Sequence, residues 1–354
     1  MKYQLLGYSF LFVFVILATI PFPNAFSAVT NTGNFKYVGD KEPNPYDFEF
    51  NNDGTKLFVI GNVYDKVHQY SLSTAYDITT ATFQKSSASL ENQDINPLGL
   101  TFNNNGTKMF VAGNSNDKIF EYTLSTAFDV GSIAYTNNFV ASISAIPQAI
   151  TFNGDGTKLF IGDTSTVYRY NLAVPYSLAS STGYSSIAFS PADAEILFNN
   201  DGTKLYIMSG GENPIGQYTL TTPYVFSTSS TLNGNFWFTS ISNNPSSFDF
   251  SSDGSKFFIS EMTNDRIYQF SVSPSFDLID SVAPTVYSAT TTNSTAITLT
   301  MSETVEKNSP TAANFVISGA SSSPTVSSIS ASGTIVTLIL SSSHVYKHTY
   351  CIIY

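Results

Sequence analysis

One segment is written five times along this chain: FEFNNDGTKLFVIG from Phe48, LTFNNNGTKMFVAG from Leu100, ITFNGDGTKLFIGD from Ile150, ILFNNDGTKLYIMS from Ile196 and FDFSSDGSKFFISE from Phe248. The central glycines, Gly54, Gly106, Gly156, Gly202 and Gly254, stand 52, 50, 46 and 52 residues apart. A repeat of that length means equivalent units packed on one another, because one unit cannot bury its own apolar face. Aromatic residues reach 14% of the chain and charged residues only 12%, against a usual charged share of about a quarter. That balance suits sheets whose facing layers are filled by flat rings.

Within each copy the order of signals repeats too. A short apolar strand ends at Phe50, Phe102, Phe152, Phe198 or Phe250. The Asn, Asp, Gly, Thr and Lys residues after it tolerate left-handed backbone angles and predict a hairpin turn. The second strand, Leu57 to Ile60 and its equivalents, is nearly all apolar, as for a strand covered on both faces. The third alternates and sets Tyr70, Tyr122, Tyr170, Tyr218 and Phe270 at one position, which predicts a family of rings buried between units. A corner written STAYDI, STAFDV or SPSFDL leads to a less regular fourth strand. Four antiparallel strands per unit at this period predict an all-β fold, a five-bladed β-propeller.

The fifth unit runs into DSVAPTV without a fourth strand. NFKYVGDKEP from Asn34 is similar to NFVASISAIP from Asn138 and NFWFTSISNNP from Asn235, both of which precede a new unit. Residues 33–40 are therefore expected to pair with Arg266 to Val272 and close the ring, leaving no bare edge there.

The DGTK-(L/M)-(F/Y)-(V/I) core followed by (V/I)-x-(Q/E)-Y resembles the repeat of extracellular bacterial and archaeal propellers related to surface-layer and lactonase-like families. The resemblance covers about residues 33–280. It implies a propeller fold, whereas enzymes, receptors and scaffolds all use that fold. Those families usually have seven blades.

The domain organisation follows. Residues 1–27 join Lys2, an apolar run from Leu5 to Ile20, Pro21, Pro23 and the small residues Ala25 and Ser27, and read as a secretory signal peptide. The prolines stop the run short of the roughly 20 apolar residues a membrane span needs. Residues 28–280 make the propeller and 281–354 a further β module. In the last segment APTVYSAT, ITLTMSETV, NFVISG and GTIVTLIL resemble the Ig-like repeats of bacterial and archaeal surface proteins. HVYKHTYCIIY replaces the closing strand of such a repeat, so the module reads as truncated or aberrant at its end.

A net charge of −11 at pH 7 repels phosphate backbones and argues against a nucleic-acid partner. The single Cys351 rules out an internal disulfide and a cysteine-based metal site. None of His68, His344 and His348 has partners at metal-ligand spacing, and no nucleophile elbow, phosphate loop or dinucleotide fingerprint occurs. The Asp53, Asp155, Asp201 and Asp253 turns offer too few spaced oxygens for a calcium loop and read as structural turns. Lys56, Lys108, Lys158, Lys204 and Lys256 are expected to face solvent. Polar positions of the innermost strands line the channel of a propeller, and there Asp47, Glu49, Glu195 and Asp249 could converge on a cation such as Ca2+. Sequons at Asn105 and Asn293 are compatible with glycosylation.

These features lead to a secreted or cell-surface binding or structural module, without a catalytic centre or cofactor, whose partner is a protein or glycan. The alternative is a metal-dependent, lactonase-like hydrolase that uses the channel carboxylates.

Overall fold

The computed structural model describes residues 29–140, 146–188, 195–208, 214–226, 230–236, 244–279, 286–293, 295–301, 316–318, 325–332, 334–341 and 351–353. The expected signal peptide, His344 and His348 lie outside them. The described residues are all-β, with three short 3-10 turns and no α-helix among them. No helix among them is long and apolar enough to cross a membrane. They divide into two units, one ending at Ile279 and one beginning after it.

The first unit holds five four-stranded antiparallel sheets. Strand β1 (Val29–Tyr37) belongs to the last of them. Sheet one is β2 (Pro45–Phe50), β3 (Lys56–Gly61), β4 (Val67–Leu72) and β5 (Ala81–Ser86); sheet two is β6 (Pro97–Phe102), β7 (Lys108–Gly113), β8 (Lys118–Leu124) and β9 (Ile133–Val140). Sheet three is β10 (Ala149–Phe152), β11 (Lys158–Gly162), β12 (Thr166–Leu172) and β13 (Ser181–Ala188); sheet four is β14 (Glu195–Phe198), β15 (Lys204–Met208), β16 (Ile215–Thr219) and β17 (Thr231–Phe236). Sheet five is β18 (Pro245–Phe250), β19 (Lys256–Glu261) and β20 (Arg266–Val272), completed by β1.

That completion is the expected closure, with shifted limits: β1 spans residues 29–37 rather than 33–40, with Val29 opposite Val272, Tyr37 opposite Arg266 and a bulge between Asn31 and Asn34. Within that bulge Thr32 donates its hydroxyl to the Gln269 carbonyl at 2.5 Å.

Each sheet packs on the next through one repeated pair of rings. Phe58, Phe110, Phe160, Tyr206 and Phe258 occupy one position of the second strand and are fully buried. They meet Phe102, Phe152, Phe198, Phe250 and Phe50 of the following sheet at centroid distances of 4.5, 4.8, 4.5, 4.9 and 4.6 Å. The last pair joins sheet five to sheet one, so the packing is cyclic, a propeller-like ring with β2, β6, β10, β14 and β18 innermost. Truncating a buried ring of this kind costs about 3–5 kcal/mol.

The turn after each innermost strand explains why DGTK recurs. Gly54 sits at φ +69, where a Cβ would run into the ring of Tyr76 from the STAYDI corner. Only glycine both adopts that angle cheaply and lets the corner ring lie on the turn. Asp53 Oδ1 accepts from the Thr55 amide at 3.0 Å and from its hydroxyl at 2.5 Å, and these bonds hold its carboxyl below the usual range. Asp155, Asp201 and Asp253 repeat the arrangement, so their oxygens close the turn as the ligand count anticipated.

The lysines do not face solvent as expected. Each is half-buried, and Lys56, Lys108, Lys204 and Lys256 donate to the corner carbonyls of Phe128, Tyr176, Phe276 and Tyr76 at 2.9, 2.8, 3.1 and 2.8 Å. The long side chain buries its methylenes and carries its charge to the next sheet, where the corner leaves a carbonyl unpaired. The third strand adds matching links: Gln69, Gln217 and Gln269 accept from the amides of Val130, Leu278 and Ile78 in the next sheet. Of the five rings expected between units, Tyr70, Tyr122, Tyr170 and Phe270 are buried and Tyr218 is half-buried.

The second unit holds a four-stranded antiparallel sheet of β21 (Val286–Asn293), β22 (Ala296–Met301), β25 (Ile335–Leu340) and β24 (Val326–Ser332), in that order. Strand β23 (Val316–Ser318) pairs with β26 (Cys351–Ile353), so the tail that looked aberrant contributes a strand. Leu299, Val336 and Leu338 are buried at the sheet's centre.

Candidate functional site

The innermost strands converge on a cavity of about 180 Å3 lined by Asp47, Glu49, Thr101, Thr151, Glu195 and Asp249, with the rings of Phe50 and Phe250 beside them. All four expected carboxylates are therefore brought together. The register explains it: Asp47 and Glu49 alternate along β2, Glu195 opens β14 and Asp249 holds in β18 the place Glu49 holds in β2.

Their bonding separates them into two kinds. Asp47 accepts from the amides of Phe48 and Leu100 at 2.7 and 2.6 Å and from the Ser247 hydroxyl at 2.6 Å, which ties sheet one to sheets two and five. Asp249 accepts from the amides of Phe250 and Phe50 at 2.7 and 3.3 Å. Glu49 receives the Thr101 hydroxyl on Oε1 at 3.4 Å and is also held by the Phe102 backbone, while its Oε2 has no hydrogen-bond partner among the described residues.

Electrostatics follow the same division. Burial pushes Asp47 up to about 6 and Asp249 up to about 7, each restrained by the donors just named. Burial raises Glu49 well above the glutamate range, and the charges of Asp249 and Asp47 raise it further. Glu195 is raised well above it by burial and then by Asp47. The channel therefore sets aspartates fixed by backbone donors beside glutamates whose proton affinity is raised by burial and by the neighbouring carboxylates. Such a cluster can store protons or offer carboxyl donors. Among the described residues no three His, Cys, Asp or Glu side chains are placed to hold a metal ion together.

The other sequence candidates fall elsewhere. Asn105 is exposed in the turn after β6, where its Oδ1 accepts from the amide and hydroxyl of Thr107 at 3.2 and 2.6 Å. Asn293 ends β21. His68 is buried on β4, with Nδ1 2.9 Å from Ser86 Oγ and Nε2 3.4 Å from Glu42 Oε2.

Sequence reasoning missed the acidic caps of the loops at the far ends of the second strands. Glu42 accepts from the Val63 amide, Asp94 from Ser115 and Asn116, Asp163 from Ser165 and Thr166, and Glu261 from Thr263 and Asn264. They fall at two places in the repeat, Glu42 and Asp94 each 12 residues before the central glycine and Asp163 and Glu261 each 7 after it, so that spacing was the available signal and no single position marks all four. Thr101 and Ser247 stand in register with Glu49 and Asp47 along the innermost strands, and their hydroxyls hold those carboxylates, a role that register alone does not assign.

Comparison with known proteins adds the following. No protein-family model matches the chain, and no curated protein matches its sequence. Among solved structures it is similar to the β-propeller domain of Cps50 (Swd1) from Myceliophteria thermophila, at 11% identity and a TM-score of 0.43 over 69% of this chain and 100% of that one. A "putative 6-phosphogluconolactonase" from Bacteroides uniformis is similar at 13% identity and 0.43 over 88% of each chain. Kuenenia stuttgartiensis hydrazine synthase is similar at 12% identity and 0.41, over 66% of this chain and 97% of that one.

Proposed function

We propose that this chain is an exported five-bladed β-propeller, followed by an Ig-like surface module, that binds a protein or glycan at the cell surface and performs no chemistry of its own. The supporting observation is the use to which the channel carboxylates are put. Asp47 and Asp249 give their oxygens to backbone amides and a neighbouring hydroxyl, so the residues that looked most like ligands or bases act as fasteners between innermost strands. The channel lining includes no histidine, lysine or cysteine to serve as base or nucleophile.

A lactonase-like hydrolase is the second reading, favoured by Glu49, whose raised pKa and unpartnered Oε2 suit a general acid. Hydrolysis of a panel of lactones with and without Ca2+, by the parent and by Glu49→Gln and Asp249→Asn, separates the two. No turnover is expected from any of the three proteins. Ca2+-dependent turnover lost in both variants would overturn the binding reading.

A further inference from the structure

The outermost strands carry a feature that neither the channel nor the packing between sheets uses. Opposite Tyr70, Tyr122, Tyr170 and Tyr218 on the third strands stand Phe83, Tyr135, Tyr184 and Leu232 on the fourth, and all four are exposed, at 38%, 44%, 50% and 47%. A large apolar side chain is thus set on the rim in register, sheet after sheet. In sheet one the ring is covered by the Lys41 ammonium, 4.8 Å from the Phe83 centroid. Sheets two and three are the pair that place tyrosines there.

We propose that the rim of sheets two and three binds a neutral polysaccharide, with sugar rings stacked on Tyr135 and Tyr184. The inference rests on the binding-module reading and gives it a site and a ligand class. Three observations carry it.

The two platforms hold one repeat position in consecutive sheets, Tyr135 opposite Tyr122 and Tyr184 opposite Tyr170. Each platform is braced from beneath, Tyr135 by Tyr122 at 5.9 Å and Tyr184 by Tyr170, so little ordering entropy is lost when a ligand docks.

The strands themselves, IAYTNNFV and STGYSSIA, contain no charged residue, although the chain carries a net charge of −11. An anionic ligand would be repelled by the protein as a whole, and a cationic one would find no counter-charge on these strands. What they offer is hydroxyl and amide: Thr136, Asn137, Ser185 and Ser186 beside the rings are all exposed.

That combination matches the two aspects of a neutral pyranose. Its C–H face carries slight positive charge and stacks on the negative face of an aromatic ring, while its equatorial rim needs uncharged donors and acceptors. Both β9 and β13 are outermost in their sheets, so a long chain can lie across them without threading any opening.

Affinity electrophoresis through gels cast with mixed-linkage β-glucan, galactomannan or arabinoxylan tests the site, with dextran sulfate as the charged control. The parent protein should be retarded in at least one neutral gel, at low and at raised salt alike. Tyr135→Ala and Tyr184→Ala should each weaken retardation about tenfold, the upper range for one stacked ring. Tyr184→Phe, which keeps the platform, should bind within about twofold of the parent on the same reasoning. Melting temperatures near the parent's confirm folding of these half-exposed variants. No retardation in any neutral gel overturns the rim site. Retardation unchanged by the alanine pair overturns it as well and leaves the binding-module reading intact.

Discussion

Raising the pH from about 5 to about 8 should destabilise the folded chain, and Asp249→Asn should remove part of that loss. The Asp249 carboxyl titrates near 7 in the fold against 3.8 when free. Below the free value both states are protonated and the group has no effect on stability. As pH rises from there towards 7 the unfolded chain ionises while the fold keeps its proton, so stability falls, and above 7 the deficit is constant. Between pH 5 and 8 about two units of the shift are expressed, or about 2.7 kcal/mol. Asp249 is half-buried on a channel wall, and solvent screening reduces this to about 1.4 kcal/mol. Asp47, raised to about 6, changes stability in the same direction.

The turn carboxylates Asp53, Asp155, Asp201 and Asp253 have lowered pKa values, so their contribution is lost only as pH falls below about 4, outside this window. Asparagine at 249 keeps the shape, cannot ionise, and leaves one of two backbone amides poorly matched, at a cost of about 1 kcal/mol. The variant should therefore be less stable than the parent at pH 5 and equal or more stable at pH 8. Urea unfolding of both proteins at the two pH values, in the presence of EDTA, measures the difference. Parallel pH dependence of parent and variant would refute the reasoning.

Other perturbations test the packing. Tyr122→Ala should cost about 3–5 kcal/mol, whereas Tyr218→Ala, at the same repeat position but half-buried, should cost about half as much, both read from urea midpoints. Deleting residues 29–37 removes no repeat but bares the edge of β20, so the shortened chain should melt lower and self-associate by light scattering; a monomer with the parent melting temperature would show that the ring does not depend on β1.

Period and turn chemistry made the sheets legible because both are local. Gly54 and its copies, the apolar second strands and the Phe50 series each report on neighbours within one unit. The cyclic closure was legible as well, because β1 resembles the strands it replaces. What could not be read was the destination of side chains that leave their own unit. Lys56 looks like any exposed lysine after a turn, since its acceptor, the carbonyl of Phe128, lies 72 residues on in the corner of the next unit and nothing in that corner's sequence pairs it with a lysine. The four carboxylates were found because strand register is arithmetic. Their protonation was not, because it depends on burial and on backbone amides such as that of Leu100, which any residue supplies.

The strand that completes sheet five comes from the opposite end of the repeat array, with Thr32 bonded to Gln269 across 237 residues. Sheets one to four each assemble from a stretch of 40 to 44 residues, so closing the last costs about 1.5 kcal/mol more in chain entropy. Local sheets should form early and the final pairing late, making closure the slow, high-contact-order event of folding. The same geometry makes the position of the break arbitrary: a permuted chain with residues 29–37 joined after β20 would contain the same sheets with every pairing local, and would reach them sooner.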